Sequence, residues 1–285
     1  MPQLVPIPDP PAGDGATGCI RVDTRDSLGP TSAPPLVFLG GMTQTLSSWG
    51  GQLRPMSATR RVVAYEARGQ GKTVLSLTDV SLSQHADDFV ALLDALGIDQ
   101  PVDLAGFSFG GRVSLAAAAR HPARIRRLII SGVGADRGAL GRVIVRGWQA
   151  ALATGDLHAL ARISLADTLG PAFLDRHETQ LDDFVQATVT RNNYAGIKAL
   201  FETNLIDRDP RWQPATLAEQ IHSPVLLLGG RLDRIATPDD VAELASRFRR
   251  AQHDVFEDAG HTIAIEAAAA WRERVLRFLD AEIDA

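Results

Sequence analysis

Short apolar runs and amphipathic helical stretches alternate along most of this chain. Cys19–Arg25 alternates apolar and polar residues, the period of a half-exposed strand. Pro35–Leu39, Arg61–Tyr65, Val102–Ala105, Arg127–Ser131 and Pro224–Gly229 are nearly continuous apolar runs bounded by turn residues, as buried parallel strands require. His253–Glu257 predicts one more strand. Between them, Ser83–Leu96 carries a helical apolar stripe, with Ser81 or Ser83 as N-cap and Gly97 as the stop. Phe109–Arg120, Pro238 to about Arg247, and Thr262 to about Asp280 are also expected to be helical. Strand signals vanish between about Ala135 and Pro214, where helical stretches follow one another, including Leu157–Asp167, Asp182–Thr190 and Tyr194–Leu205.

This alternation predicts an α/β fold: a mostly parallel, doubly wound central sheet with helices on both faces. The helical block is expected as a lid inserted before the last strands. The expected division is therefore an irregular N-terminal arm at 1–17, a core at 18–134 and 216–285, and a helical lid at 135–215. The proline-rich start, Met1 to Gly15, lacks the basic-then-apolar pattern of a secretory signal.

Composition narrows the class without naming a chemistry. The chain has 285 residues, 45% hydrophobic and 22% charged, with a net charge of -5. That acidic balance gives no reason to expect a nucleic-acid partner. No apolar run approaches the roughly 20 residues of a membrane span. A single cysteine, Cys19, excludes an internal disulfide and is expected as a small strand residue, so a cytoplasmic location is expected. No histidine pairs with a cysteine or a second histidine at metal-ligand spacing, so neither a metal nor a cofactor is expected. A small-molecule substrate and a monomer or homodimer are expected.

Chemistry enters at Gly106-Phe107-Ser108-Phe109-Gly110, which sits between an apolar strand and a helix. A serine between two glycines in that context is the pattern of a strained turn that exposes a nucleophile. A glycine-rich strand-to-helix loop is the bland alternative. A serine hydroxyl needs a base beside it and a carboxylate to orient that base. In open α/β sheets such groups gather beyond the carboxyl ends of strands. Two segments meet that requirement. Asp233 lies a few residues past the Pro224–Gly229 run, and Asp239 and Asp240 suit capping of the next helix better. His261 follows the last strand through Gly260 and opens the terminal helix, a placement no other histidine has. Asp136, after Ser131, is the alternative acid.

Ser108, Asp233 and His261 follow one another in the order nucleophile, acid, base. Together with Arg68-Gly69-Gln70-Gly71 and Gly260-His261, this order resembles the α/β-hydrolase superfamily from about Cys19 to the end of the chain. The resemblance implies an oxyanion hole made by the backbone N–H of Phe109 and that of Met42, in the loop after Pro35–Leu39. That loop usually begins His-Gly-x; here it begins Gly40-Gly41-Met42, so a side chain that usually braces the loop is missing. Gly41, Phe107 and Trp148 are expected to contact substrate, with Phe109 also near the pocket.

The resemblance implies a serine esterase or thioesterase acting through an acyl-enzyme on Ser108. An apolar lid without a basic cluster favours a neutral, fairly hydrophobic substrate. Similar members also cut carbon–carbon bonds of ring-fission products, act as lyases or cyclases, or serve as non-catalytic small-molecule receptors, and these stand as alternatives. A serine in place of aspartate disfavours epoxide hydrolysis and dehalogenation.

Overall fold

A computed structural model of the protein describes residues 2–206 and 209–282. The last three residues of the expected core, 283–285, lie outside the described residues. The strands are β1 (Gln3–Pro8), β2 (Thr17–Arg25), β3 (Leu36–Leu39), β4 (Val62–Tyr65), β5 (Val102–Phe107), β6 (Ile125–Ser131), β7 (Val225–Gly230) and β8 (Ala251–Phe256). They form a sheet in the order β1-β2-β4-β3-β5-β6-β7-β8. Every pairing from β4 to β8 is parallel, and β1 and β2 are antiparallel additions at one edge. The order reverses at β3, so the loops after β3 and β5 open beside each other at the carboxyl edge.

The strands divide their side chains by parity. Val37, Leu39, Leu104, Leu128, Ile130 and Leu227 pack on one face with helices α2 (Leu82–Ala95) and α3 (Phe109–Arg120). Leu36, Phe38, Ala105, Phe107, Ile129 and Leu226 pack on the other. That second face is covered by α1 (Gly50–Met56) and the C-terminal helices. Both layers are closed, which explains why the central strands have no polar face.

Two expectations need correction. The N-terminal arm is not irregular: β1 pairs with β2 from Gln3↔Val22 to Pro8↔Thr17, burying Val5 and Ile7. Pro6 and Pro8 share one parity, so their missing N–H groups fall along the free edge, where no ladder bond is lost. The terminal helix is not continuous. It breaks at Ala267 (φ -119°, ψ 43°) into a short turn and a long helix, and Gln52 Nε2 donates to the carbonyls of Ala264 and Ala268 across the break. The Tyr194–Leu205 stretch is helical as expected, α-helix at Tyr194–Leu200 continuing as π-helix at Phe201–Ile206.

Between β6 and β7 the described residues form a helical insertion. Its main elements are α4 (Ala139–Leu152), α5 (Leu157–Thr168), α6 (Pro171–Arg176), α7 (Leu181–Arg191), α8 (Tyr194–Leu200) and α9 (Pro214–Ala218). The chain then completes the core with α10 (Pro238–Ser246), α11 (Ile263–Glu266) and α12 (Ala268–Asp280). Among the described residues no helix is long and apolar enough to cross a membrane.

Candidate active site

Ser108 stands between β5 and α3 with φ 50° and ψ -113°, a backbone conformation that L residues rarely adopt. Such strain persists only where the surroundings over-determine it. The surroundings here are close-packed. A Cβ on Gly106 would lie 2.5 Å from the Gly110 carbonyl, and one on Gly110 would lie 2.6 Å from the Gly40 carbonyl. Glycine at both positions lets strand, turn and helix approach closely enough to hold the serine.

Three side chains meet at this turn. His261 Nε2 lies 3.0 Å from Ser108 Oγ, and His261 Nδ1 lies 2.7 Å from Asp233 Oδ2. Asp233 and His261 are each 3% exposed. The other oxygen of Asp233 accepts the N–H groups of Ile235 (2.8 Å) and Ala236 (3.0 Å). Both oxygens of the buried carboxylate are thus hydrogen-bonded, which offsets the cost of burying its charge. A carboxylate placed there can accept a hydrogen bond from Nδ1, an arrangement in which Nε2 can accept one from a serine hydroxyl. Asp136, the alternative acid, is exposed and pairs with Arg142 at 3.1 Å; the histidine meets Asp233 instead.

A cavity of about 250 Å³ opens over Ser108 and His261. Its walls include Met42, Phe107, Trp148, Leu165, Phe173 and Phe184. The insertion supplies most of this apolar lining, and Trp148 is held by its indole N–H bond to Asp167 (2.8 Å). Polar groups gather on the wall formed by Thr43 to Ser48. There Arg191, a cation of the insertion, donates to Ser47 Oγ at 2.6 Å. Among the described residues no group of three or more His, Cys, Asp or Glu side chains could hold a metal ion.

The sequence matches the family described as alpha/beta hydrolase fold over residues 34–268. The chain belongs to the α/β-hydrolase family. It is 31% identical to a 2-hydroxymuconate semialdehyde hydrolase of Pseudomonas putida, over 80% of each chain. It is 24% identical to 3-oxoadipate enol-lactonase 2 of Acinetobacter baylyi, over 87% of this chain and 90% of that one. The crystal structure of the enol-lactonase from Burkholderia xenovorans LB400 superposes with a TM-score of 0.78 at 27% identity, covering 92% of this chain and 97% of that one. The protein is an α/β-fold hydrolase.

Within this hydrolase the remaining expected residues fall in different places. Phe107 lines the cavity, its ring 4.9 Å from that of His261. Gly41 is not part of the cavity wall; it lies under Phe107 and Ser108, where a Cβ would come within 2.8 Å of the Phe107 ring. The side chain of Phe109 lies outside the cavity over Ser108, packed into the core against His85. The N–H of Phe109 is at the first position of α3, where a helix has no intrahelical acceptor to offer. Met42 N–H likewise meets no acceptor among the described residues.

Several residues at the site carried no sequence signal of their own. Glu266 accepts the N–H groups of Gly170 (2.7 Å), Gly260 (2.9 Å) and Thr262 (3.0 Å), so it ties the insertion to the histidine loop. Thr168 O, at the end of α5, accepts the N–H of His261 itself at 3.0 Å. The bonds from Gly170 to Glu266 and from His261 to Thr168 join residues more than 90 positions apart, which no local pattern records.

Proposed function

We propose that this hydrolase is a serine enzyme that cleaves an ester or thioester of a small, fairly hydrophobic substrate through an acyl-enzyme on Ser108. The observation that carries the reading is the hydrogen-bonded chain Ser108–His261–Asp233 beneath an apolar cavity. In the first half-reaction His261 Nε2 takes the hydroxyl proton as Ser108 Oγ bonds to the carbonyl carbon. The carbonyl oxygen becomes an oxyanion facing the N–H groups of Met42 and Phe109. Such donors are each worth about 3 kcal/mol to the transition state. The tetrahedral species collapses, and the imidazolium gives its proton to the departing alcohol or thiol. Water then repeats the sequence: His261 removes its proton, the acyl carbon takes the hydroxide, and Ser108 recovers its hydrogen.

The insertion acts as the lid. Its apolar wall excludes water from the acyl chain and favours substrates with a neutral, hydrophobic portion. Arg191 on the polar wall offers one cation at the edge, so a substrate with a single acidic or strongly polar end also fits. A second reading, cleavage of a carbon–carbon bond beside a ketone, draws support from the similarity to a semialdehyde hydrolase. It uses the same three residues.

The test is intact-mass detection of an acyl adduct on Ser108 after exposure to a panel of esters and thioesters, alongside p-nitrophenyl ester turnover. The expected result is turnover abolished in Ser108→Ala. Absence of turnover across acyl lengths, with no phosphonate labelling of Ser108 and tight ligand binding, would favour a receptor instead. Appreciable activity in Ser108→Ala, lost in His261→Ala, would favour a lyase or cyclase.

A further inference from the structure

The loop carrying Met42 lacks the histidine that usually braces it, since Gly40 stands there, and its Cβ position is already occupied at 2.9 Å by Gln44. Something else must hold this loop. The Gly41–Met42 peptide is the critical unit, because its two ends are the Gly41 carbonyl and the Met42 N–H. A trans peptide is planar, so fixing the carbonyl direction fixes the N–H on the opposite side.

The Gly41 carbonyl has two donors. One is Gln70 Nε2 at 2.8 Å, from a side chain that is 1% exposed. The other is the Gln44 backbone N–H at 3.0 Å, closing a tight turn in which Thr43 adopts φ 65°. The preceding Gly41 N–H donates to Gln44 Oε1 at 2.9 Å. Asn192, at the end of α7, bonds the Thr43 carbonyl through Nδ2 at 2.7 Å. The Gly41 N–H, the Gly41 carbonyl and the Thr43 carbonyl are therefore held from within the protein, while the Met42 N–H meets no acceptor among the described residues.

We propose that Gln70 is a positioning residue for the oxyanion hole: its amide fixes and polarises the Gly41–Met42 peptide so that the Met42 N–H faces the oxyanion. Gln70 occupies the variable position of Arg68-Gly69-Gln70-Gly71 and comes from the loop after β4, next to β3 in the sheet. A side-chain donor on the carbonyl opposes rotation of the peptide plane. It also draws electron density toward the oxygen, which strengthens the N–H as a donor. The same carbonyl would be left with a single bond, in a buried setting, if Gln70 were apolar. This inference rests on the serine-hydrolase reading above.

The experiment compares wild type, Gln70→Leu, Gln70→His and Gln44→Ala by p-nitrophenyl butyrate kinetics and by the rate of phosphonylation at Ser108. Losing one oxyanion donor outright commonly costs 100-fold or more, so misaligning it should lower kcat by about 10- to 100-fold in Gln70→Leu. KM should stay within about twofold, and the pH profile should be unchanged because His261 is untouched. Phosphonylation should slow in parallel. Gln70→His, which keeps an N–H donor, should recover most of the loss, and Gln44→Ala should show a smaller loss of the same kind. Melting curves identify any variant that does not fold; should Gln70→Leu be one, Gln70→His and Gln44→Ala decide. Wild-type kcat in Gln70→Leu, a rise in KM alone, or a displaced pH profile would overturn the role of Gln70. A wild-type protein that neither turns over ester nor takes the phosphonate would overturn the hydrolase reading, and this proposal with it.

Discussion

Arg68→Leu should unfold this protein far more readily than any loss of a surface charge. The guanidinium is 0% exposed and binds two buried acids. Its Nε and Nη2 grip Asp88 at 2.8 and 2.7 Å, and Nη1 reaches Asp9 at 2.7 Å and the Ser76 carbonyl at 2.7 Å. Asp9 and Asp88 are each 3% exposed. After truncation Asp88 keeps only Gln84 Nε2, at 2.8 Å, and Asp9 keeps the Ser76 N–H, at 2.7 Å. Removing one member of a buried ion pair costs about 3–5 kcal/mol, because the abandoned charge stays in the interior. One surviving donor on each acid argues for the middle of that range, about 4 kcal/mol. Urea denaturation with a common m-value measures the loss. Adding Asp88→Asn to Arg68→Leu should restore about 2 kcal/mol by removing the stranded charge, and Asp9→Asn should restore more. Proteolysis should also reach β1 first, since Asp9 anchors the end of that strand. A loss below about 1 kcal/mol, or no recovery in the double variant, would refute the stranded-charge argument.

Asp233→Asn should lower kcat for ester hydrolysis by about 10⁴-fold with little change in KM, by favouring the wrong imidazole tautomer; a loss under tenfold in steady-state assays would count against the triad. His85 supplies a pH prediction. Burial, assisted by the Arg68 cation, holds its pKa down to about 4 against the opposing pull of Asp88, Asp79 and a Val80 backbone bond. Between pH 6.5 and about 4 the unfolded chain therefore takes up a proton that the folded chain refuses. Stability should fall by roughly 3 kcal/mol as pH drops through that window. His85→Phe should flatten the slope in urea midpoints taken at pH 4.5 and 7, and an unaltered slope would assign it to other groups. Gly110→Ala should force the elbow helix away from the Gly40 carbonyl. It should cost about 2 kcal/mol by overpacking and slow phosphonylation of Ser108; normal values for both would show that the elbow has slack.

How much could be read in advance differed by element. The central strands declared themselves because both faces are buried, so runs such as Leu36–Leu39 and Val225–Leu228 have no polar residue to blur them. β1 did not. Its prolines suggested an arm, and its role as an edge strand depends on β2 and on the Arg68–Asp9 pair, which lie elsewhere in the chain. The break at Ala267 was likewise hidden, because the helical stripe runs through it and the bonds that permit it come from Gln52. At the site, Ser108 was legible from its flanking glycines, whose spacing is a local steric demand. Asp233 stood out because it follows a buried strand, and His261 because it follows the last strand through a glycine turn.

The sequence by itself determined the layered α/β order, the strained serine turn and the strand-end positions of an acid and a histidine. These are local properties, written in residue period, glycine placement and the lengths of apolar runs. Only the tertiary structure decided which acid meets His261, that Phe109 turns its ring into the core, and that Gln70 holds the Met42 peptide from a neighbouring loop. Those outcomes depend on contacts between segments two dozen or more residues apart. Such contacts are set by how the sheet order and the helical insertion bring strand ends together, and no window of sequence contains them.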